Sequence, residues 1–449
     1  MHNRDSFVEN LNEMIRQGLL FIIIWSITIQ SYGQDTLVID KSELLQKVYE
    51  GNLQLKIANK QVEIAQGDLS QSKASYLPTI TASHTAIVTN NPLMAFGSKL
   101  NQEILTQADF NPALLNDPDQ TKNFATEIQV LQPLLNLDYA YQRQAAKIQT
   151  EAQLLQAQRT SEYLELEVLK AYMQLQLGYE AVAVLKRAKL TANEGLRVIN
   201  DYNEQGLVQK TDVLAVNVRV SEVENQLRFA ESNVENASAY LAFLLGEQNQ
   251  DIIYKPSERS AENIAVEAFD SGLSDNRKDV TAMAMAEEGY QAMLKSGKMS
   301  LIPRINAFGS YQLYDETLLG FGASGYVVGA QLSWNIFDGS RTIGKIQKSK
   351  AEYEKVQFEN SQYRGKEQME LKKSIRQLHD FENKVMLTRQ ALEQSEEAYR
   401  IHKNRFTEGL EKTADLLAAE TQYFKKELEY RQSIFEYNLT KEYLRFLTK

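Results

Sequence analysis

The sequence predicts a mainly α fold with a minority of β-strands, assembled from two copies of one helix–strand–strand–helix repeat. Three observations carry this. First, residues 134–255 and 304–449 contain none of the chain's seven prolines. A proline inside a helix costs about 3 kcal/mol, so its absence permits very long helices. Second, each stretch holds one short break, Gly206-Leu207 and Gly409-Leu410. Each break is followed by an aspartate, Asp212 and Asp415, and each reads as the tip of a helical hairpin. Third, a pair of alternating segments precedes each hairpin.

The first helix is expected from a cap at Asp40 or Ser42 to about Ser75. Leu44, Leu45, Val48, Leu53, Leu55, Ile57, Val62 and Ile64 form its apolar side. Leu77-Pro78 ends it, and Ile80, Ala82, His84, Ala86 and Val88 then alternate with small polar residues, a strand at about 79–89. Residues 90–122 read as a long polar loop. Phe124, Thr126, Ile128 and Val130 define a second strand at about 124–132, closed by Pro133. A helix from about 138 to 204 follows; at 1.5 Å per residue it would be roughly 100 Å long. A shorter arm returns over 211–245. The order then restarts, with a helix from about 261 to 300, Ile302-Pro303, strands at about 304–314 and 326–337, and a second long hairpin opened by Asp338-Gly339-Ser340.

The duplication keeps register. Gly206, Leu207, Asp212 and Leu214 fall on Gly409, Leu410, Asp415 and Leu417 at a constant shift of 203, and the same shift carries Tyr240–Leu244 onto Tyr443–Leu447. Gln129 and Asn136 match Gln331 and Asp338 at 202, a shared register hard to obtain by chance. The organisation expected is a first repeat at 34–246 with its tip at 205–211, a linker or equatorial segment at 247–260, and a second repeat at 261–449 with its tip at 408–414. Residues 1–33 are expected to be a secretory signal. The apolar run from Leu19 to Ile29 is too short for a bilayer helix, and Ser31 and Gly33 suit cleavage before Gln34.

Bulk composition excludes several function classes. A net charge of −10 argues against nucleic acid. With no cysteine, thiolate chemistry is unavailable, and the four histidines show no metal-ligand spacing. No phosphate loop or nucleophile motif is present, so no enzyme activity and no cofactor are expected.

The strands have the length a tilted membrane strand needs, about 9–11 residues. Aromatics lie near their ends: Tyr76, Phe124, Tyr139, Tyr141, Tyr326, Trp334 and Phe337. Four strands cannot close a barrel, and open edges in lipid leave backbone groups unpaired. Strands in a membrane therefore require oligomerisation; a homotrimer would give twelve strands and a water-filled lumen.

With these features the mature chain resembles the TolC-type outer-membrane efflux proteins over its whole length. The resemblance rests on the duplicated order, the two Leu/Ile-Pro strand entries and the two Gly-Leu tips. It implies mainly α structure with membrane β, long antiparallel coiled-coil helices forming a tube, and four strands per chain in a shared twelve-stranded barrel. It further implies a passive exit duct in the outer membrane of a Gram-negative bacterium, its helical portion periplasmic, opened at the helix tips by a periplasmic adaptor and an inner-membrane pump. Adaptor contacts would be Gly206, Leu207, Gly409 and Leu410. The pore constriction would be Asp415, with Asp212 as its counterpart in the first repeat. Ala418 stands where some members carry a second acid, and Glu411 where some carry a locking arginine. The alternative is a soluble periplasmic coiled-coil adaptor or structural protein.

Overall fold

The structure is a computed structural model of the chain and describes residues 36–249, 251–262, 264 and 267–449. The expected signal at 1–33 lies outside the described residues. The chain divides into two units, each built from segments of both halves. One is Met1–Gly51, Glu167–Asn263 and Asn383–Leu439; the other is Asn52–Leu166, Ile264–Glu382 and Thr440–Lys449.

The second unit carries the sheet. Its strands are β2 (Thr79–Thr89), β3 (Thr121–Leu135), β5 (Arg304–Asp315) and β6 (Ala323–Ser333), antiparallel in the order β2-β3-β5-β6. Register sorts the side chains. Ala82 faces Ile128, Ile128 faces Tyr311, and Tyr311 faces Tyr326. Because opposite residues share a face, Ile80, Ile128, Val130, Tyr311, Leu313, Val328 and Leu332 belong to one side. Thr81, Ser83, Glu127, Gln129, Ser310, Gln312 and Gln331 belong to the other. Each apolar set read from the sequence thus joins one continuous apolar face.

Two strands and one loop depart from expectation. β3 runs through Pro133, because a register shift between Pro133 and Leu135 accommodates the missing donor. β6 stops at Ser333, whose partner Arg304 opens β5, so 334–337 have no strand to pair with. The loop at 90–122 is not structureless. It holds α3 (Pro92–Asn101) and α4 (Pro112–Asn116), each with proline in its first turn and an asparagine cap. Asn91 Oδ1 accepts Met94 N at 3.2 Å and Asn111 Oδ1 accepts Ala113 N at 3.0 Å.

The first helix is two helices, α1 (Lys41–Gly51) and α2 (Leu53–Gln71). Asn52 is extended between them, and its side chain accepts Leu55 N at 3.0 Å. Leu44, Val48, Leu55 and Val62 are buried, but Leu53, Ile57 and Ile64 are exposed, since only the stripe through Leu55, Val62 and Ala65 is covered on α2. The later helix, α7 (Lys278–Met299), begins well after 261. Before it, side chains take the backbone's bonds. Asp270 Oδ1 accepts Gly272 N at 3.0 Å, and Gln368 Oε1 accepts Leu273 N at 3.0 Å.

This unit also contains a buried charge cluster. Arg277, 0% exposed, donates to both Asp279 carboxylate oxygens at 2.7 and 2.8 Å, to Glu367 at 2.6 Å and to Leu447 O at 3.1 Å. Arg159 donates to Asp279 at 3.2 Å and Glu162 at 2.9 Å, with its guanidinium 3.6 Å from the centre of the Phe446 ring. Lys278 pairs with Glu162.

The first unit carries the hairpin tips. Two elements that the sequence reading missed, β1 (Thr36–Ile39) and β4 (Ile253–Pro256), pair in parallel. The long helices α5 (Leu137–Glu204) and α8 (Arg341–Thr407) contribute residues to both units, as does α9 (Thr413–Thr448), while α6 (Lys210–Leu245) lies in the first. Gly246 ends α6 at φ 73°, and a Cβ there would lie 2.3 Å from Gly51 O, so backbones cross at two glycines.

Candidate functional site

Both tips have the same geometry. Gly206 (φ 71°) donates to Asn203 O at 3.0 Å and Leu207 N to Tyr202 O at 2.9 Å. Gly409 (φ 73°) donates to Phe406 O at 3.0 Å and Leu410 N to Arg405 O at 2.9 Å. This is the paired-bond helix stop that a left-handed glycine makes. The leucine after such a glycine usually folds back on its own helix. Here Leu207 is 66% and Leu410 69% exposed, so each tip presents an apolar side chain to solvent.

Beneath the turns Ile199, Val213, Val216 and Phe406 form a small core, flanked by Tyr202, Val208, Leu416 and Leu417. The two hairpins therefore pack against each other at their ends. The two aspartates differ. Asp212 Oδ2 accepts Gln209 N at 3.0 Å and closes its own turn. Asp415 is exposed in the first turn of α9. Glu411 takes Arg405 at 2.8 Å and lies 3.4 Å from His402, so the second tip is stapled within one hairpin.

Two buried groups near the tips escaped sequence reading. Arg219 on α6 and Glu420 on α9 are both enclosed, 3.7 Å apart, beyond hydrogen-bond reach. Burial pushes the Glu420 carboxyl above its ordinary value, with Arg219 acting against it. A signal existed: Arg219 falls at core spacing among Val213, Val216, Val223 and Leu227.

At the helix end of the sheet, the expected girdle aromatics Tyr76 and Tyr139 each receive a guanidinium. Arg143 lies 5.0 Å from the Tyr76 ring centre and Arg304 4.7 Å from that of Tyr139. Among the described residues no helix is long and apolar enough to cross a membrane. None of their His, Asp and Glu groups could hold a metal.

The family model described as outer membrane efflux protein matches residues 271–444, a span from before α7 almost to the end of α9. Residues 271–444 are thus similar to the outer membrane efflux proteins. The matched segment contains β5, β6 and the second hairpin as far as Leu444. No curated protein sequence matches the chain. Solved structures share the fold over nearly its full length. The Campylobacter jejuni CmeC outer membrane channel superposes with a TM-score of 0.80 at 15% identity, covering 91% of this chain and 85% of that one. The Vibrio cholerae outer membrane protein VceC gives 0.77 at 16%, covering 91% and 96%. The open-state Neisseria gonorrhoeae MtrE outer membrane channel gives 0.75 at 16%, covering 91% and 88%. The segments before the efflux-protein match therefore carry the same fold.

Proposed function

We propose that three copies of this chain form an exit duct through the outer membrane of a Gram-negative bacterium, with the helical hairpins in the periplasm. The observation that carries this is the sheet. Its apolar face is exposed, its other face is polar, and β2 and β6 each have one partner within the chain. Such a sheet suits lipid on one side and water on the other, with its edges satisfied by neighbouring copies. A soluble adaptor would have no use for that apolar face. The halves 34–246 and 261–449, joined through 247–260, each supply one strand pair and one hairpin. Transport is passive, and a pump supplies the energy.

The tips are the proposed contact with a periplasmic adaptor, through Gly206-Leu207 and Gly409-Leu410. Their exposed leucines and matching geometry support this. Gly409→Trp should leave trimers intact and reduce recovery of adaptor with the duct; unreduced recovery would remove the tip from that contact. Asp415 is the proposed pore constriction, with Asp212 at its equivalent place closing a turn. Three carboxylates around one axis favour cations. Purified protein should migrate as a trimer and conduct in a planar bilayer with cation preference, and Asp415→Ala should weaken that preference. A monomer without conductance would end the duct reading.

A further inference from the structure

The segment between β2 and β3 folds onto one end of the polar face. α3 turns Ala95, Ser98 and Gln102 toward the sheet: all three are buried, and Gln102 Nε2 donates to Asn123 Oδ1 and Lys122 O at 2.8 Å each. The residues covered there, Thr121, Asn123 and Ala323, belong to the polar face by register and are buried. Val88 and Lys122, at the same level on the apolar face, remain exposed, as do Thr79, Thr81, Ser83 and Thr85 further along the polar face. α3 therefore covers the polar face alone, and only where the strands meet their loops. Lys99 pairs with Asp109 at 2.8 Å, and Phe96 meets Phe110 edge-on at 5.7 Å, so the insert has packing of its own. Helical spacing puts Leu93 and Leu100 opposite Ala95, Ser98 and Gln102. Both leucines are exposed, Leu93 by 82%.

We infer that α3 lies inside the mouth of the duct, and that Leu93 and Leu100 from the three copies form an apolar collar there, a second constriction distinct from the helix tips. This rests on the duct reading, in which the polar face lines the lumen. Away from the sheet on that face is then toward the axis. A helix with its side chains is about 10–12 Å thick, so one per copy narrows the opening from three sides. An apolar ring of this kind resists hydrated ions by dewetting and lets amphiphilic or apolar molecules slip past.

Because the chain has no cysteine, a single substitution supplies the only thiol of each copy. Leu100→Cys trimers in a planar bilayer should lose current, about twofold or more, when a charged methanethiosulfonate is added from the loop side. Ser98→Cys, shielded beneath the helix, should not respond. Leu93→Cys should cross-link between copies with a short bismaleimide, a readout that does not depend on the state of the tips. Current unchanged in Leu100→Cys shown by mass to be modified, with no cross-link from Leu93→Cys, overturns the collar while leaving the duct standing. Unsubstituted protein that neither trimerises nor conducts overturns the duct, and the collar with it.

Discussion

Arg277 shows what a single enclosed charge does in this chain. Its guanidinium donates to three carboxylate oxygens and one helix-terminal carbonyl, while Arg159 and Tyr363 also donate to Asp279. Removing one partner of a buried pair leaves the others desolvated and unmatched, which costs about 3–5 kcal/mol. Arg277→Ala should lower the unfolding free energy by that order, read from denaturant titration of the detergent-solubilised protein. A loss within the range of an ordinary surface substitution would show the cluster to be solvated. Asp279 adds a pH signature. Burial raises its carboxyl, but hydrogen bonds from Arg277 and Tyr363 and the charges of Arg159 and Arg277 outweigh burial, holding it below its ordinary 3.8. A lowered folded value means stability that is fully present above the unfolded value and lost as pH falls through the folded one. In Arg277→Ala this acid-side loss should shrink, because the largest force holding the proton off is gone.

Between elements, the instructive contact is the one joining α6 to α9 near the tips. Arg219 and Glu420 are enclosed without a direct hydrogen bond, and Glu222, the other acid near Arg219, sits 3.7 Å away and is largely solvated. Glu420→Leu should destabilise the hairpin ends by about 3–5 kcal/mol by stranding Arg219, whereas Arg219→Met with Glu420→Leu should restore stability. Amide exchange at the tips measures both; a double variant as labile as the single one would refute the pairing. Elements also divide by how readable they were. The long helices and their glycine stops could be read because nothing interrupts them and only glycine takes a positive φ cheaply. The four strands could be read because apolar and polar residues largely alternate along them, as Ile80 to Val88 do with their threonine and serine neighbours. β1 and β4 were not, being short and held by pairing across more than two hundred residues. α3 was hidden because Asn91-Pro92 reads as a loop signal as readily as a cap with proline at N1. Arg277, extended just before α7, was hidden because a charge beside a helix start looks solvated until its neighbours are known.

For the whole molecule, the test is which solvent each sheet face meets. Val327 and Val328 are adjacent at the middle of β6, yet register sends them to opposite sides. Val328 stands beside Gly309 and Tyr326 on the apolar face, and Val327 beside Ser310 on the polar one. In a soluble sheet both positions are exposed, and arginine at either should be tolerated alike. In a shared barrel they are not equivalent. An arginine facing lipid near the bilayer midplane costs about 2–4 kcal/mol, and a trimer incurs that cost three times, whereas a lumen arginine stays hydrated. Val328→Arg should therefore deplete heat-resistant trimers from the outer membrane, while Val327→Arg should leave their yield intact and shift ion preference toward anions. Equal trimer yields from the two variants would mean that lipid does not meet the apolar face, and an assembly enclosing water within the bilayer would have to be abandoned.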